Sequence, residues 1–502
     1  MIRLSKSEDE LFELLLAAAP PGTVLRAAGG WVRDKCLGLE SHDIDIAVNN
    51  MSGAKFARLV VDHMKNSGLK AGRVTVIEAR PDQSKHLETA QLTIFGQMID
   101  FANLRKETYA ESRIPVIEPG TPEEDARRRD LTVNALFYNL RTGEIEDYVG
   151  GLKDLEEHIA RTPIDPLQTF LDDPLRVLRT IRFGTKYDLV PEPELVKAAR
   201  NRQVHEALMK KVSKERVWAE MVGQAEPDGG WKNGFMIEKP AVALDLVSKF
   251  GLRELLFKPQ GNNLLPWDLD QQSSHHDLNV WEHTFAAVKF LFYNLGEHSP
   301  ADAAVRHLAM LFHDLGKLDP EKRTLHEDGE HYQYLKHELA SADLADAVLR
   351  QWCAPNETRE RVVGLVKEHM RIPTLTRPSD PNAASNRALR RVLRDIGEDW
   401  EHLVDVATGD ANGKGHPVGK VYEELRERMR ELVKEMAGLT KPKRPINGND
   451  LKAVGVEPGP EMGRIFRALD EALLDNPGMT SEEALLWVKV QIIDREYPDA
   501  RR

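Results

Sequence analysis

Ala28-Gly29-Gly30-Trp31-Val32-Arg33-Asp34, followed shortly by Asp43-Ile44-Asp45-Ile46-Ala47-Val48, is the part of this chain whose reading decides the fold. The second segment alternates polar and apolar residues at period two, which predicts a strand. Residues two apart in a strand share a face at a spacing of about 7 Å. Asp43 and Asp45 then project side by side, with Ile44, Ile46 and Val48 packed behind them. Two carboxylates that close repel each other unless a cation sits between them. Hard oxygen ligands favour Mg²⁺, above all beside substrate phosphates. An Asp-x-Asp taken alone fits a solvated edge strand equally well. The upstream segment narrows the reading: paired glycines let backbone N–H groups approach phosphate oxygens, and the helix start behind them adds favourable dipole charge.

Outward from this stretch, short β-like runs such as Ala47-Val48 and Val74 to Ile77 alternate with helical ones up to about Tyr148. That mixture indicates an α/β or α+β domain. Helical periodicity then dominates nearly to the end. Turn-forming residues punctuate it at Pro227-Asp228-Gly229-Gly230, at Pro259-Gln260-Gly261-Asn262, from Pro373 to Pro381 and at Lys441-Pro442-Lys443-Arg444-Pro445. The 502 residues suggest three or four domains at roughly 150 residues each. No uncharged apolar run reaches the length of a membrane span. The run Leu11 to Ala19, interrupted by Glu13 and preceded by acidic residues, reads as an amphipathic first helix rather than a signal peptide. Cys36 and Cys353 give neither a disulfide framework nor a zinc-finger spacing, which fits a reducing cytoplasm. A net charge of −12 argues against a generally basic nucleic-acid coat. RNA contact would instead use a local patch such as Lys197, Arg200, Arg202, Lys210, Lys211, Lys214 and Arg216. The same run also fits a solvated helix face.

Ten of the 17 histidines lie between His275 and His369. A lone histidine on an apolar helix face is usually a core residue. Such clustering is unusual enough to ask for a metal, and His283, His313-Asp314, His337, His369 and Asp410 follow one another in this part of the chain. Mixed imidazole and carboxylate ligands suit Mn²⁺, Fe²⁺, Ni²⁺ or Mg²⁺. Gly413-Lys414-Gly415 lacks the spacing of a phosphate-binding P-loop. Asp173-Pro174 reads as a helix cap followed by proline, and Asp173 with Arg176 as an i,i+3 ion pair.

The opening stretch resembles the first motif of class II tRNA nucleotidyltransferases, in wording especially close to the fungal enzymes. The likeness continues through Ser84-Lys85-His86-Leu87-Glu88-Thr89-Ala90, Ile99-Asp100-Phe101-Ala102-Asn103-Leu104-Arg105, Arg128-Arg129-Asp130-Leu131-Thr132-Val133-Asn134-Ala135 and Leu171-Asp172-Asp173-Pro174-Leu175-Arg176-Val177-Leu178-Arg179. It implies an α+β fold: a polymerase-β-like nucleotidyltransferase head with a mixed sheet over residues 1–148, then an all-α neck and body over 149–268. Asp43 and Asp45, with Asp100 from a neighbouring strand, would bind Mg²⁺ and carry catalysis. Gly29, Gly30, Arg33, Arg128, Arg129, Asp130, Asn134, Arg179 and Arg182 would hold the nucleotide. Asp173 and Arg176 would read the base edge of CTP or ATP in place of a template. Leu171, Leu175 and Leu178 would anchor their helix. The family usually has glutamate where Asp172 stands, a departure that bears on the positioning of the pair.

The histidine-rich region, from about residue 270 to 420, resembles the HD phosphohydrolase signature as carried by bacterial tRNA nucleotidyltransferases. An all-α HD domain over 269–440 and a helical tail over 441–502 are implied, the latter from Ile446-Asn447-Gly448-Asn449-Asp450-Leu451. His283, His313, Asp314 and Asp410 would hold one divalent transition metal or Mg²⁺, His337 and His369 a second, and Lys317 would steady a phosphate. His275, His276, His326 and His331 are expected to face solvent or lie outside the ligand set. The function implied is template-independent addition of CMP and AMP, from CTP and ATP, to the 3′ end of tRNA gripped by its acceptor arm. The HD domain would act as a phosphodiesterase or phosphatase on RNA 3′ ends. A poly(A) polymerase, an enzyme adding only CC or only A, and a protein acting mainly as an HD nucleotide phosphohydrolase are the alternatives. No membrane association is expected, and nothing in the sequence indicates an oligomeric state.

Overall fold

Ile44, Ile46 and Val48 are at most 1% exposed, and the strand they build is the middle of a seven-stranded mixed sheet. The computed structural model describes residues 2–41, 43–70, 72–77, 89–108, 115–225, 231–273, 278–294, 296, 298–376, 384–415, 420–436, 444–476 and 478–490. The segment from Ser84 to Glu88, His275, His276, the Pro227 to Gly230 turn and most of the breaks at 373–381 and 441–445 lie outside the described residues. The chain divides into two compact units, Met1–Leu256 and Phe257–Arg502.

In the first unit the strands are β1 (Leu25–Ala28), β2 (Ile44–Val48), β3 (Thr75–Ile77), β4 (Thr89–Ile94), β5 (Gln97–Asn103), β6 (Arg105–Thr108), β7 (Val116–Pro119), β8 (Phe137–Asn139) and β9 (Ile145–Glu146). The sheet order is β3-β4-β5-β2-β1-β8-β9, and β6 and β7 form a separate antiparallel ribbon. Within the sheet β2 and β5 run parallel, in a register that sets Asp45 opposite Asp100. Because side chains alternate faces, a slip of one residue would turn one of the two carboxylates away.

The predicted first helix is α1 (Lys6–Ala18), closed by a capping box between Ser5 and Glu8. Its Phe12 ring packs 5.4 Å from Trp31 on α2 (Gly30–Cys36) and 6.2 Å from Tyr138 on β8. Helix α3 (Gly53–Asn66) lies close on the sheet at its first residue: a Cβ on Gly53 would meet the Phe101 carbonyl oxygen at 2.1 Å. Helices α4 (Pro122–Arg127), α5 (Gly151–Glu156), α6 (Pro166–Asp172) and α7 (Leu175–Tyr187) follow. Leu171, Leu175 and Leu178 do not share one helix. Leu171 is half-buried on α6, while Leu175 and Leu178 anchor α7. The break falls at Asp173, held extended (φ −134°, ψ 99°) because the ring of Pro174 excludes the helical conformation from the residue before it.

The second unit is built of helices, among them Val280–Asn294, Pro300–Phe312, His337–Gln351, Asn356–Glu368 and Trp400–Gly413. Gly409 and Gly413 bring two of these backbones together, since a Cβ at either would come within 2.8 Å of Met310 Sδ or Ala287 Cβ. Residues 257–268 belong to this unit: the buried Trp267 stacks edge-on to Trp281 at 5.5 Å, and Leu265 N–H donates to Leu318 O. The division between the units thus precedes the boundary at 268 expected from sequence. A last helical cluster buries Ile446, Leu451, Ile465, Leu469, Ala484 and Val488. No helix among the described residues is long and apolar enough to cross a membrane.

Candidate functional site

A cleft of about 890 Å³ in the first unit is lined by Gly30, Asp43, Asp45 and nearly every arginine singled out in the sequence. Asp43 stands just before β2, Asp45 within it and Asp100 on β5. One carboxylate oxygen from each lies within 4.8 Å of the others. Asp45 is open to solvent on the cleft side, yet the protein packed around the rest of it, with the charges of Asp43 and Asp100, pushes its carboxyl up to about 7. Asp100 moves upward for the same reasons, and its Oδ1 is buried without a hydrogen-bond partner. Three mutually repelling carboxylates with an orphaned oxygen fit a hard divalent cation such as Mg²⁺.

The walls of the cleft are arginines held by carboxylates. Asp125, 2% exposed, accepts from Arg128 Nη2 at 2.9 Å through one oxygen and from Arg129 Nε at 3.1 Å through the other. Glu107 faces Arg105 at 2.7 Å and Arg128 at 3.2 Å. Asp130 accepts from Arg179 Nε at 2.7 Å, Asn134 Nδ2 at 3.0 Å and its neighbour's backbone N–H at 2.9 Å. Burial alone would raise the Asp130 carboxyl; these donors and the Arg179 charge outweigh it and hold the group well below the usual carboxylate range. Glu220 accepts from Arg182 Nε at 2.6 Å and lies 3.8 Å from Arg179. Arg33 donates to Asn134 and to the Tyr187 hydroxyl, stacks on the Tyr187 ring at 4.1 Å and pairs with Asp34. Gly29 permits this crowding: its φ is +67°, and a Cβ there would sit 2.6 Å from Arg129 Nη1.

Asp173 and Arg176 both line the cleft but take separate partners rather than forming the expected surface ion pair. Asp173 Oδ1 accepts from Leu175 N–H at 3.2 Å, as a cap would, and Oδ2 faces Arg216 at 3.5 Å. Arg176, 7% exposed, donates to the Arg128 carbonyl at 2.7 Å. Sequence reading missed Glu107, Asp125, Tyr187 and Glu220, and it missed Trp231 and Lys232, which also line the cleft.

The second unit gathers the predicted histidine and aspartate ligands. His283, His313, Asp314 and Asp410 offer atoms within 4.8 Å of one another, as do Asp314, His337 and His369. Asp314 is common to both groups, as a bridging carboxylate would be. His283 Nε2 lies 3.1 Å from His313 Nε2 and 3.0 Å from Asp410 Oδ1, and His337 Nε2 lies 3.1 Å from Asp314 Oδ1. All six side chains are buried. Three of the imidazoles are aligned identically: Nδ1–H of His313, His337 and His369 donates to the carbonyl three residues earlier, at 2.7, 2.9 and 2.7 Å. A carbonyl only accepts, so Nδ1 carries the proton and Nε2 turns its lone pair to the cluster, the arrangement metal-ligating histidines use. His369 Nε2 is buried without a hydrogen-bond partner. Burial, and then the nearby His313 and His337, push the His369 imidazole down to about 3. At His313 burial acts the same way, but Asp314 and Asp410 outweigh it and push the group up to about 9. Two buried aspartates among four buried imidazoles form a ligand set that fits a pair of divalent ions.

Lys317 is 4% exposed and is held by Gln271 at 2.9 Å and by Asp314 at 2.8 Å. Lys414, to which sequence gave no role, pairs with Asp410 at 2.8 Å. His326 and His331 lie outside the cluster and flank Asp328 at 3.1 and 2.9 Å.

Residues 25–161 match the poly(A) polymerase head domain. The chain is 45% identical over 244 residues to the mitochondrial CCA tRNA nucleotidyltransferase of Saccharomyces cerevisiae, covering 47% of this chain and 43% of that one. It is 32% identical over 378 residues to the CC-adding tRNA nucleotidyltransferase of Thermus thermophilus, covering 73% of this chain and 76% of that one. Against the fungal relatives it matches, the chain spans about half of their length. In fold it is similar to the Bacillus stearothermophilus CCA-adding enzyme in complex with CTP, with a TM-score of 0.62 at 20% identity over 97% of this chain and 98% of that one.

Proposed function

The chain belongs to the tRNA nucleotidyltransferase family, and on that premise we propose that it adds CMP and AMP, from CTP and ATP, to the 3′ end of tRNA without a nucleic-acid template. The observation that carries this reading is the β2–β5 register, which sets Asp45 opposite Asp100 and beside Asp43 at the base of an arginine-walled cleft. Mg²⁺ held by these three carboxylates would activate the terminal hydroxyl of the RNA and stabilise charge on the phosphoryl group. Gly29, Gly30, Arg33, Arg128, Arg129, Asn134, Arg179 and Arg182 receive the triphosphate and ribose. Asp130 acts through Arg179 and Asn134, whose geometry it fixes. Asp173 offers a carboxylate and Arg176 a guanidinium at the same cleft, so an acceptor and donors are available for the edges of cytosine and adenine. The basic run from Lys197 to Arg216 supplies phosphate contacts for the acceptor arm, and residues 149–256 act as neck and body.

For the second unit we read an HD-type phosphohydrolase with one or two divalent ions, acting as phosphodiesterase or phosphatase on RNA 3′ ends. The aligned imidazoles and the shared Asp314 support it. A transferase needs a free 3′-hydroxyl, and such a hydrolase exposes one. A chain with only two cysteines, Cys36 and Cys353, offers no disulfide framework, which favours a reducing compartment that we take as the cytoplasm.

The test is tRNA lacking its CCA end, incubated with Mg²⁺ and with labelled CTP and ATP separately and together. Ordered addition of C, C and A followed by a stop, lost in Asp43→Ala, is the expected result. A long A tail from ATP alone identifies a poly(A) polymerase, and arrest after CC a partial-specificity enzyme. No incorporation by folded protein that hydrolyses a 3′-terminal phosphate makes the second unit the principal enzyme.

A further inference from the structure

The arginines of the cleft already face protein carboxylates, so much of their charge is balanced before any nucleotide arrives. Two lysines line the same cleft. Lys186 lies 5.4 Å from the Tyr187 ring. The Lys232 side chain makes no hydrogen bond or ion pair with any described residue. It sits on the short antiparallel ribbon of Gly223–Ala225 and Trp231–Asn233, where it pairs with Gln224.

The ribbon is seated tightly. A Cβ on Gly234 would come within 2.4 Å of the Met221 and Val222 backbone, fixing one strand against the end of the helix Lys214–Met221. Gly223 has φ +119°, and a Cβ there would meet the Lys232 carbonyl at 2.3 Å and the Trp231 indole nitrogen at 2.8 Å. Both glycines therefore let the strand carrying Trp231 and Lys232 approach its support and hold Lys232 in the cleft wall. Lys232 is exposed to the cleft; the protein packed around it, and after that the charges of Arg182 and Arg179, lower its ammonium from the ordinary range, while Asp43 and Glu220 pull the other way. A cation placed among cations and given no carboxylate of its own is stabilised when an anion fills the space between them.

We infer that Lys232 is a binding residue for the β- and γ-phosphates of the incoming nucleoside triphosphate, and so for the pyrophosphate that leaves. The inference rests on the nucleotidyltransferase reading. A lysine suits this place because it acts as a point charge on a flexible stem, able to follow phosphates that separate from the nucleotide during transfer. The paired arginines, fixed by their carboxylates, suit the parts of the ligand that stay put.

The experiment is equilibrium binding of CTP, CMP and inorganic pyrophosphate to the full chain in Mg²⁺, comparing wild type with Lys232→Ala and Lys232→Arg. Thermal melting confirms that each variant is folded. Lys232→Ala is expected to weaken CTP and pyrophosphate about ten-fold and to leave CMP unchanged, with Lys232→Arg restoring most of the loss. Unchanged CTP affinity overturns the inference. An equal loss for CTP and CMP overturns it too, because the residue would then act on the base or through the fold. Wild type that binds neither CTP nor pyrophosphate fails both this inference and the reading beneath it. Wild type that binds both with the expected lysine dependence but transfers nothing to tRNA fails the transferase reading alone.

Discussion

The two acidic centres of this chain use opposite solutions to one problem. The cleft centre places three carboxylates on and beside two strands, with Asp43 and Asp45 open to solvent. The second centre encloses four histidines and two aspartates on helix ends and helix faces, each buried. An ion in the first would be completed by the substrate's own oxygens and would have to release them. An ion in the second can be held by protein ligands alone. The difference teaches that, on the reading proposed above, accessibility more than the number of carboxylates would separate a centre that shares a metal with a nucleotide from one that holds its own.

The sharpest way to break this comparison is Asp43→Ala. Incorporation of labelled CMP into tRNA lacking its CCA end should fall by about 10³-fold or more, the several kcal/mol of transition-state stabilisation that a bound ion supplies. Hydrolysis of a 3′-terminal phosphate should be unchanged; a parallel loss would mean that the two centres act as one.

His313→Ala is the converse. Metal retained after gel filtration, measured by atomic emission, should drop toward zero, with CMP incorporation intact. Removing one ligand from an enclosed charged cluster should also destabilise the second unit by about 3–5 kcal/mol, visible as a lower Tm for its transition. Retention of the full metal complement by the variant would contradict the enclosed centre.

Asp125→Ala should have a smaller effect. Its two arginine partners lie in an open cleft where water reaches them, so the stability loss should stay below the about 3–5 kcal/mol of an enclosed pair. The KM for CTP should rise several-fold with kcat less affected, as expected when Arg128 and Arg129 lose their shared anchor. An unaltered KM would show that Glu107 suffices to fix Arg128 and the Asn134 carbonyl to fix Arg129.

The smallest effect lies in acid. Arg361 bonds Asp302 at 2.7 Å, joining the two helices that run directly into His313 and His369. Burial would raise the Asp302 carboxyl, but Arg361 outweighs it and holds the group at about 2. Its folded pKa is depressed, so its contribution is complete above the unfolded carboxylate range near about 4 and disappears as pH falls toward 2. The pair is partly exposed, so the gain is under about 1 kcal/mol. Asp302→Asn should flatten the stability–pH slope in that window alone, and an unchanged slope would remove the pair from the account.

Much of both centres was legible in the sequence because their residues sit in short runs with strong local meaning. Asp43-Ile44-Asp45 declares a strand, and His313-Asp314 with its companions declares a ligand set. What stayed hidden is held by long-range packing. Asp125 lies inside a short helix whose Thr121–Glu124 capping box accounts for its acidic residues without any further role. Glu220 meets Arg182 only when two helices pack on each other, and Tyr187 meets Arg33 only when its helix folds against the head. The contact of Lys317 with Gln271, far away in sequence, was likewise invisible. Lys232 follows the turn-forming residues Pro227-Asp228-Gly229-Gly230, and such a run by itself says nothing about which wall of the molecule the next residues reach.

The carbonyls that receive Nδ1–H from His313, His337 and His369 have one further consequence. Each comes from the residue three positions earlier in the same chain segment, so the aim of the imidazole is set by main chain. Met310, Tyr334 and Val366 can be exchanged for other residues that preserve the local turn, and the carbonyls stay where they are. The orientation of this centre is thereby insulated from drift at the very positions that supply it. Only a change that unwinds the backbone there, such as a proline, would turn the ring away.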